Sequence, residues 1–263
     1  MKSVLELAEA KHKGRKITML TAYDSSSAAL LEASPVDLIL VGDSAMMTMH
    51  GEGDTLRASV PLMARHIQSV RRGAPSKLII GDMPFLAHGE SRARLVRSAR
   101  SLIQAGANAV KIEGIVGIED RIRWLVQLGV PVMGHLGLTP QSLHALGGFR
   151  VQATSEQAQK ALLEQARAVQ EAGAIALVLE CVPSSIAAKV TRELRIPTIG
   201  IGAGAECDGQ VLVWHDLLGL NPNFKPRFVR QYINGAELIA GALGRFAADV
   251  QDGSFPSKTE SYT

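Results

Sequence analysis

The stretch Ala109-Val110-Lys111-Ile112-Glu113-Gly114 sets two opposite charges inside an apolar run that otherwise reads as a buried strand. Side chains alternate faces along a strand, so Lys111 and Glu113 point one way and Val110 and Ile112 the other. Burying such charges unpaired is strongly unfavourable, so this face either closes a structural Lys-Glu pair or lines a polar or ion-binding site. Recurrence decides between the two. Other apolar runs end in Tyr23-Asp24, Gly42-Asp43-Ser44, Gly81-Asp82, Gly134-His135 and Leu179-Glu180. Polar groups at the ends of so many strands point to a catalytic mouth.

Outward from that stretch the chain repeats one unit: a β-rich run, a polar or glycine-bearing loop, and a helix of 3.6-residue period. Strands are expected at residues 17–23, 38–41, 77–80, 109–113, 130–133, 176–180, 197–201 and 211–214. Helices are expected from 25 onward and at 60–71, 90–105, 118–128, 155–172 and 236–250, with Gly106, Gly129 and Gly173 as stops. Residues 45–59 read as a long loop rich in Met and Gly, the kind of connection that forms lids. Residues 2–12 read as a short amphipathic helix with Val4, Leu5 and Ala8 on one side, capping an end of the domain. The pattern predicts an α/β fold, a (β/α)₈ TIM barrel with an N-terminal helix. We expect one catalytic domain over residues 1–263, with the N-terminal helix within 1–16 and a mobile polar tail at 252–263. A doubly wound sheet would gather its fingerprint at one crevice, whereas these polar exits are spread over strands one to six.

A formal net charge of +3 leaves no nucleic-acid footprint. The concentration at Arg92, Arg94, Arg97 and Arg100 has helical spacing, with Leu95, Val96 and Ile103 opposite, and reads as a solvated helix face. Cys181 and Cys207 form neither a disulfide framework nor a metal motif, and Cys181 reads as a small core residue rather than a nucleophile. The N-terminal residues resemble neither a signal peptide nor a membrane span, so a cytoplasmic location is expected.

Asp43, Asp82 and Glu113 fall at the carboxyl ends of strands, the edge where barrel active sites form. Three carboxylates brought together repel one another unless a cation is present, and oxygen ligands without a Cys or His cluster suit Mg²⁺. A 2-oxo acid chelating such an ion would acidify the protons beside its ketone, with Lys111 adding positive charge. Glu180 shares a strand face with Ala176 and Val178, projects inward and is the candidate base. His135 is either structural or a donor to the second reactant. Gly200, Gly202 and Gly204 fit a phosphate loop or close backbone packing equally well.

The runs TAYD (21–24), LILVGDS (38–44), VRRGAP (70–75), GDMPF (81–85), QAGANAVKIEG (104–114), PVMGHLGLTPQS (131–142), LVLECVP (177–183), IPTIGIGAG (196–204) and DGQVLVWHD (208–216) together resemble ketopantoate hydroxymethyltransferase. The resemblance implies a magnesium-dependent barrel, with one Mg²⁺ per subunit, acting in pantothenate and coenzyme A biosynthesis. Such enzymes move a hydroxymethyl group from 5,10-methylenetetrahydrofolate to 3-methyl-2-oxobutanoate, giving 2-dehydropantoate by enolisation and aldol-type addition. Residue by residue, it implies Asp43 and Asp82 as metal ligands that also touch substrate, Glu113 in the metal site through water, Ser44 and Lys111 on the keto acid, His135 near the transferred carbon, and Glu180 as proton acceptor. It further implies a homo-oligomer, a decamer in the family, with small-molecule partners only. The chain departs from the family where Ala45-Met46-Met47 replaces Leu-Gly-Met, where Thr55-Leu56-Arg57-Ala58-Ser59 replaces Thr-Leu-Pro-Val-Thr, and where Val151-Gln152-Ala153-Thr154 lacks the glycine after Val-Gln.

Two other readings compete. A lyase of the phosphoenolpyruvate mutase type handles 2-oxo acids on a similar barrel, but it needs a cysteine-bearing lid and residues 45–59 hold no cysteine. A binding-only barrel has no need of a base such as Glu180.

Overall fold

Each of the eight anticipated apolar runs pairs with the next as a parallel strand, and the last pairs with the first. The computed structural model describes all residues except Glu90, Asn223 and Thr263. The chain divides into two compact units, Met1–Val213 and Trp214–Thr263.

In the first unit β1 (Ile17–Thr21), β2 (Leu38–Val41), β3 (Leu78–Asp82), β4 (Ala109–Glu113), β5 (Val132–Gly137), β6 (Ala176–Glu180), β7 (Thr198–Ile201) and β8 (Gly209–Leu212) close into a barrel. Ahead of β1 lies α1 (Leu5–His12), and α2 (Ser25–Glu32) follows β1. β2 leads to α3 (Ala45–Thr48) and α4 (Val60–Gly73), β3 to α5 (Arg92–Gln104), and β4 to α6 (Glu119–Gln127). After β5 come a 3₁₀ turn (Pro140–Ser142), α7 (Leu143–Leu146) and α8 (Glu156–Glu171), and after β6 comes α9 (Ser184–Glu193). Among the described residues no helix separates β7 from β8. The helix starts are chemically marked: Asp24 accepts from the backbone of Ser26 and Ser27, and Ser59, Ser91 and Ser155 accept from the third residue beyond each.

The barrel interior is filled by alternate residues of the strands, Ile17 and Met19, Leu38 and Leu40, Leu78 and Ile80, and Ala176 and Val178 among them. The opposite rank faces the helices. There Gly134 permits close approach, since a Cβ at that position would lie 2.5 Å from Val169 of α8.

The helices correct several expectations. α1 buries Leu7 and Ala10 rather than Leu5 and Ala8, and Leu5 is 78% exposed. The face that packs carries Val4, Leu7 and Ala10, spaced three apart, and joins the barrel interior beside Ile17 and Leu38. The stretch 45–59 is not all loop: its first four residues form α3, with Met46 buried. α9 is not among the expected helices; it opens after Pro183 and buries Ile186, Ala187, Val190 and Thr191. β8 begins two residues before the expected 211, where Gly209 registers with Ile17. The expected start of α5 at Glu90 lies outside the described residues. Its four arginines are exposed while Leu95, Ala99 and Leu102 are buried.

The second unit holds α10 (Trp214–Leu217) and α11 (Gly235–Asp252), followed by a 3₁₀ turn at Lys258–Glu260 with a capping box from Ser257. Among the described residues no helix is long and apolar enough to cross a membrane.

Candidate active site

The inward rank of each strand changes character along its length. In β3 it runs Leu78, Ile80, Asp82; in β4 Ala109, Lys111, Glu113; in β5 Met133, His135; in β6 Ala176, Val178, Glu180. Parallel register sets Asp82 beside Lys111 and Glu113 beside His135. The apolar layers below exclude water, and the polar layer forms one connected network at the carboxyl ends of the strands.

Lys111 is its hub. Its Nζ lies 3.1 Å from Asp82 Oδ1, 3.7 Å from Glu113 Oε1 and 3.2 Å from His135 Nδ1. Burial lowers the proton affinity of this ammonium, but Asp82, Glu113 and Asp43 outweigh it and hold the pKa above the ordinary lysine value. His135 stands between two carboxylates, with Nδ1 3.2 Å from Glu113 Oε1 and Nε2 3.2 Å from Glu180 Oε2. Burial and Lys111 push its pKa down, yet hydrogen bonding and charge from Glu113, with Glu180 adding, raise it to about 9. The two carboxylates thus favour the protonated form of His135. Burial would raise Glu113, but His135 and Lys111 hold it below its usual range.

Asp43 and Asp82 carry the opposite strain. Burial raises Asp43 well above the usual carboxylate range, and Asp82 and Glu113 push it further in that direction. Burial also raises Asp82, against the pull of Lys111. The backbone N–H of Asp43 donates to Asp82 Oδ2 at 3.0 Å. Gly42 makes room here, since a Cβ there would lie 2.7 Å from Ser44 Oγ and 3.5 Å from Asp82 Oδ2. The Ser44 hydroxyl pairs at 2.8 Å with that of Tyr23, a buried residue whose pKa burial pushes up to about 12.

Among the described residues no group of three or more His, Cys, Asp and Glu side chains is arranged to hold a metal ion. Glu113 is turned toward His135 and the backbone N–H of Gln141. The adjacent, proton-hungry carboxylates of Asp43 and Asp82 fit a hard cation held by two direct oxygen donors.

All of Asp43, Asp82, Lys111, Glu113, His135 and Glu180 thus join one site, with Ser44 at its edge. Their burial differs: Lys111, Glu113 and His135 are almost wholly buried, while the side chain of Glu180 is 18% exposed. Glu180 is the carboxylate that reaches the mouth. Asp24, another polar strand exit, is used as the α2 cap. Cys181 is half-buried at a left-handed turn (φ 47°) rather than in the strand core, and burial together with Glu180 raises its thiol to about 11. Gly200 within β7 and Gly204 after it are close-packed, since a Cβ at Gly200 would meet Cys207 at 3.0 Å and one at Gly204 would meet Ser184 at 2.5 Å.

Sequence reasoning passed over Gln141. Its Nε2 donates to Asp43 Oδ2 at 2.8 Å and to Met83 O at 2.9 Å, and its backbone N–H donates to Glu113 Oε2 at 3.0 Å. The available signal was its place in Thr139-Pro140-Gln141-Ser142, directly after the His135 strand.

Solved structures with this fold include phosphonopyruvate hydrolase in complex with oxalate and Mg²⁺, at TM-score 0.63 and 16% identity over 99% of this chain and 93% of that one. Another is 2,3-dimethylmalate lyase of the PEP mutase/isocitrate lyase superfamily, at TM-score 0.62 and 17% identity over 100% and 92%. At such identities the likeness is one of fold. Sequence relatives are much nearer. The 3-methyl-2-oxobutanoate hydroxymethyltransferase of Bdellovibrio bacteriovorus is 49% identical over the full length of both chains. That of Clostridium botulinum is 47% identical over 99% of this chain and 95% of its own. The ketopantoate hydroxymethyltransferase family matches residues 2–258. With its strand-end motifs assembled at one mouth and its relatives aligned end to end, the chain belongs to the ketopantoate hydroxymethyltransferase family, a family of transferases.

Proposed function

We propose that this protein transfers the one-carbon unit of 5,10-methylenetetrahydrofolate, as a hydroxymethyl group whose oxygen comes from water, to C3 of 3-methyl-2-oxobutanoate, giving 2-dehydropantoate for pantothenate and coenzyme A synthesis and releasing tetrahydrofolate. The observation that carries the reading is the division of labour between His135 and Glu180. His135 lies between Glu113 at Nδ1 and Glu180 at Nε2, two carboxylates that favour its protonated form and make it the poorer proton acceptor. Glu180, beside it and open to the mouth, remains as the group that takes the C3 proton. His135 keeps positive charge next to that carboxylate and to the carbon being attacked. Lys111 holds Asp82 and supplies fixed positive charge where negative charge develops on the keto oxygen. Ser44, its hydroxyl held by Tyr23, orients the keto acid.

Asp43 and Asp82 would hold a Mg²⁺ ion, one per subunit, with Glu113 reaching it through water. Bound there, the ion would supply positive charge to the keto acid's oxygens. Support comes from the raised proton affinity of both aspartates and from the Mg²⁺ present in the phosphonopyruvate hydrolase of the same fold. The folate reading is supported by apolar residues exposed on the loops after β3, β4 and β5, namely Phe85, Leu86, Val116, Phe149 and Val151, which suit a ring-bearing co-substrate. We propose further that the whole chain serves one catalytic subunit, in the cytoplasm, within a decameric homo-oligomer. Its ligands are small molecules, with no nucleic acid or membrane.

Mixing the protein with both substrates and Mg²⁺ and assaying 2-dehydropantoate tests the reading. Formation of product that depends on folate and metal is expected. Its absence at every metal concentration would favour a binding-only barrel.

A further inference from the structure

Among the described residues, the Asp43 carboxylate accepts one side-chain hydrogen bond, and it comes from Gln141. The amide can be oriented in only one way. Nε2 faces two acceptors, Asp43 Oδ2 and Met83 O, and turning the amide over would set oxygen against oxygen at both. That orientation leaves Gln141 Oε1 buried with no hydrogen-bond partner among the described residues. An unsatisfied buried acceptor is unfavourable, and in a native fold it marks a place where a site's demands override local satisfaction. The backbone of the same residue, started into its 3₁₀ turn by Pro140, donates to Glu113. One residue from the loop after β5 therefore reaches the end of β2 through its side chain and the end of β4 through its main chain.

We propose that Gln141 is a positioning residue. Its amide ties Asp43 down by Oδ2 and leaves Oδ1 directed to ligand, while its N–H keeps Glu113 turned toward His135. The inference rests on the proposed function insofar as Asp43 holds a cation. Asp43 Oδ1 accepts no hydrogen bond from the described residues, in keeping with an oxygen reserved for something the chain itself does not supply. Partners of this kind, one step out from a metal ligand, set its direction and basicity, and their removal typically weakens metal binding or activity roughly ten- to hundred-fold.

Gln141→Met keeps the length and deletes both the donor and the orphaned oxygen. The experiment titrates Mn²⁺ into wild type and variant in the presence of 3-methyl-2-oxobutanoate, following free Mn²⁺ by electron paramagnetic resonance, with circular dichroism melting run in parallel. In a folded Gln141→Met protein, Mn²⁺ affinity should fall roughly ten-fold or more, and KM for the keto acid should rise more than kcat falls. A lowered melting temperature with Mn²⁺ affinity within about two-fold of wild type would make Gln141 a packing residue and overturn the proposal. Should Gln141→Met fail to fold, Gln141→Leu, without the flexible thioether, is measured and judged by the same criterion. A wild type that binds Mn²⁺ but forms no 2-dehydropantoate removes the functional reading and leaves this inference standing. A wild type that binds no Mn²⁺ overturns the inference itself.

Discussion

Glu180 and Cys181 are neighbours with opposite chemistry. The carboxylate points to His135 at the mouth, whereas the thiol sits at a left-handed turn that forms no part of the network. With its pKa raised to about 11 by burial and by Glu180, Cys181 should be roughly one part in a thousand thiolate at pH 8. Alkylation by iodoacetamide, followed at the Cys181 peptide by mass spectrometry, should be slow at pH 8 and accelerate about ten-fold per pH unit up to about 11. Labelling at pH 8 as fast as a free thiol would reopen the cysteine as a nucleophile. The charged site residues were legible in the sequence because alternation converts their place in an apolar run directly into an inward direction. Gln141 lay on a turn, where no period assigns a direction, and only the folded loop shows what it reaches. Cys181 illustrates the converse: an apolar neighbourhood in sequence reads as core, but the residue falls one step beyond the strand.

At the level of the elements, the β5–β6 register sets His135 opposite Val178 and Gly137 opposite Glu180, and Gly137 is the point of closest approach to the Glu180 backbone. A Cβ there would lie 2.2 Å from Glu180 O, and φ is +94°, where an L side chain is strained. Gly129 is a natural control, with φ +85° but no atom of the described residues within 4 Å of its would-be Cβ. Gly129→Ala should cost about 1–2 kcal/mol from backbone strain alone. Gly137→Ala should cost about 4 kcal/mol, because a backbone clash is added. Urea unfolding of the two variants checks this, and equal losses would show that the β5–β6 exit is not tightly set. The existence and order of the eight strands were legible because their apolar runs are bounded by polar exits, but β5 runs 132–137 rather than 130–133, which puts His135 inside the strand instead of at its exit. The helices were read less well. α1 hides Leu7 rather than Leu5, since the face that packs is set by the barrel end it covers and not by its own weak amphipathic pattern. Met46 shows the same tertiary effect, turning the first four residues of the expected loop into a helical turn that buries it, while 49–59 stay irregular.

On the scale of the whole molecule, α11 is the element whose sequence and surroundings disagree. Leu238, Ile239, Leu243, Phe246 and Val250 are all about half exposed or more, an apolar face that a soluble chain normally covers. The proposed homo-oligomer would cover it. Light scattering on size-exclusion eluate should then report an assembly, and Leu243→Asp with Phe246→Asp should reduce its mass. A wild-type monomer would remove the oligomer from the account.

In the proposed reaction Glu180, paired with His135 at the mouth, takes the C3 proton of the keto acid. The direct measurement is proton NMR of 3-methyl-2-oxobutanoate in deuterated water with Mg²⁺ and enzyme, without folate. Wild type should wash out the C3 proton. Glu180→Gln should retain keto-acid binding yet lose exchange by about 10²- to 10⁴-fold, the usual effect of removing a positioned base. Exchange at the wild-type rate in a folded Glu180→Gln protein would contradict the assignment and move the base elsewhere in the network.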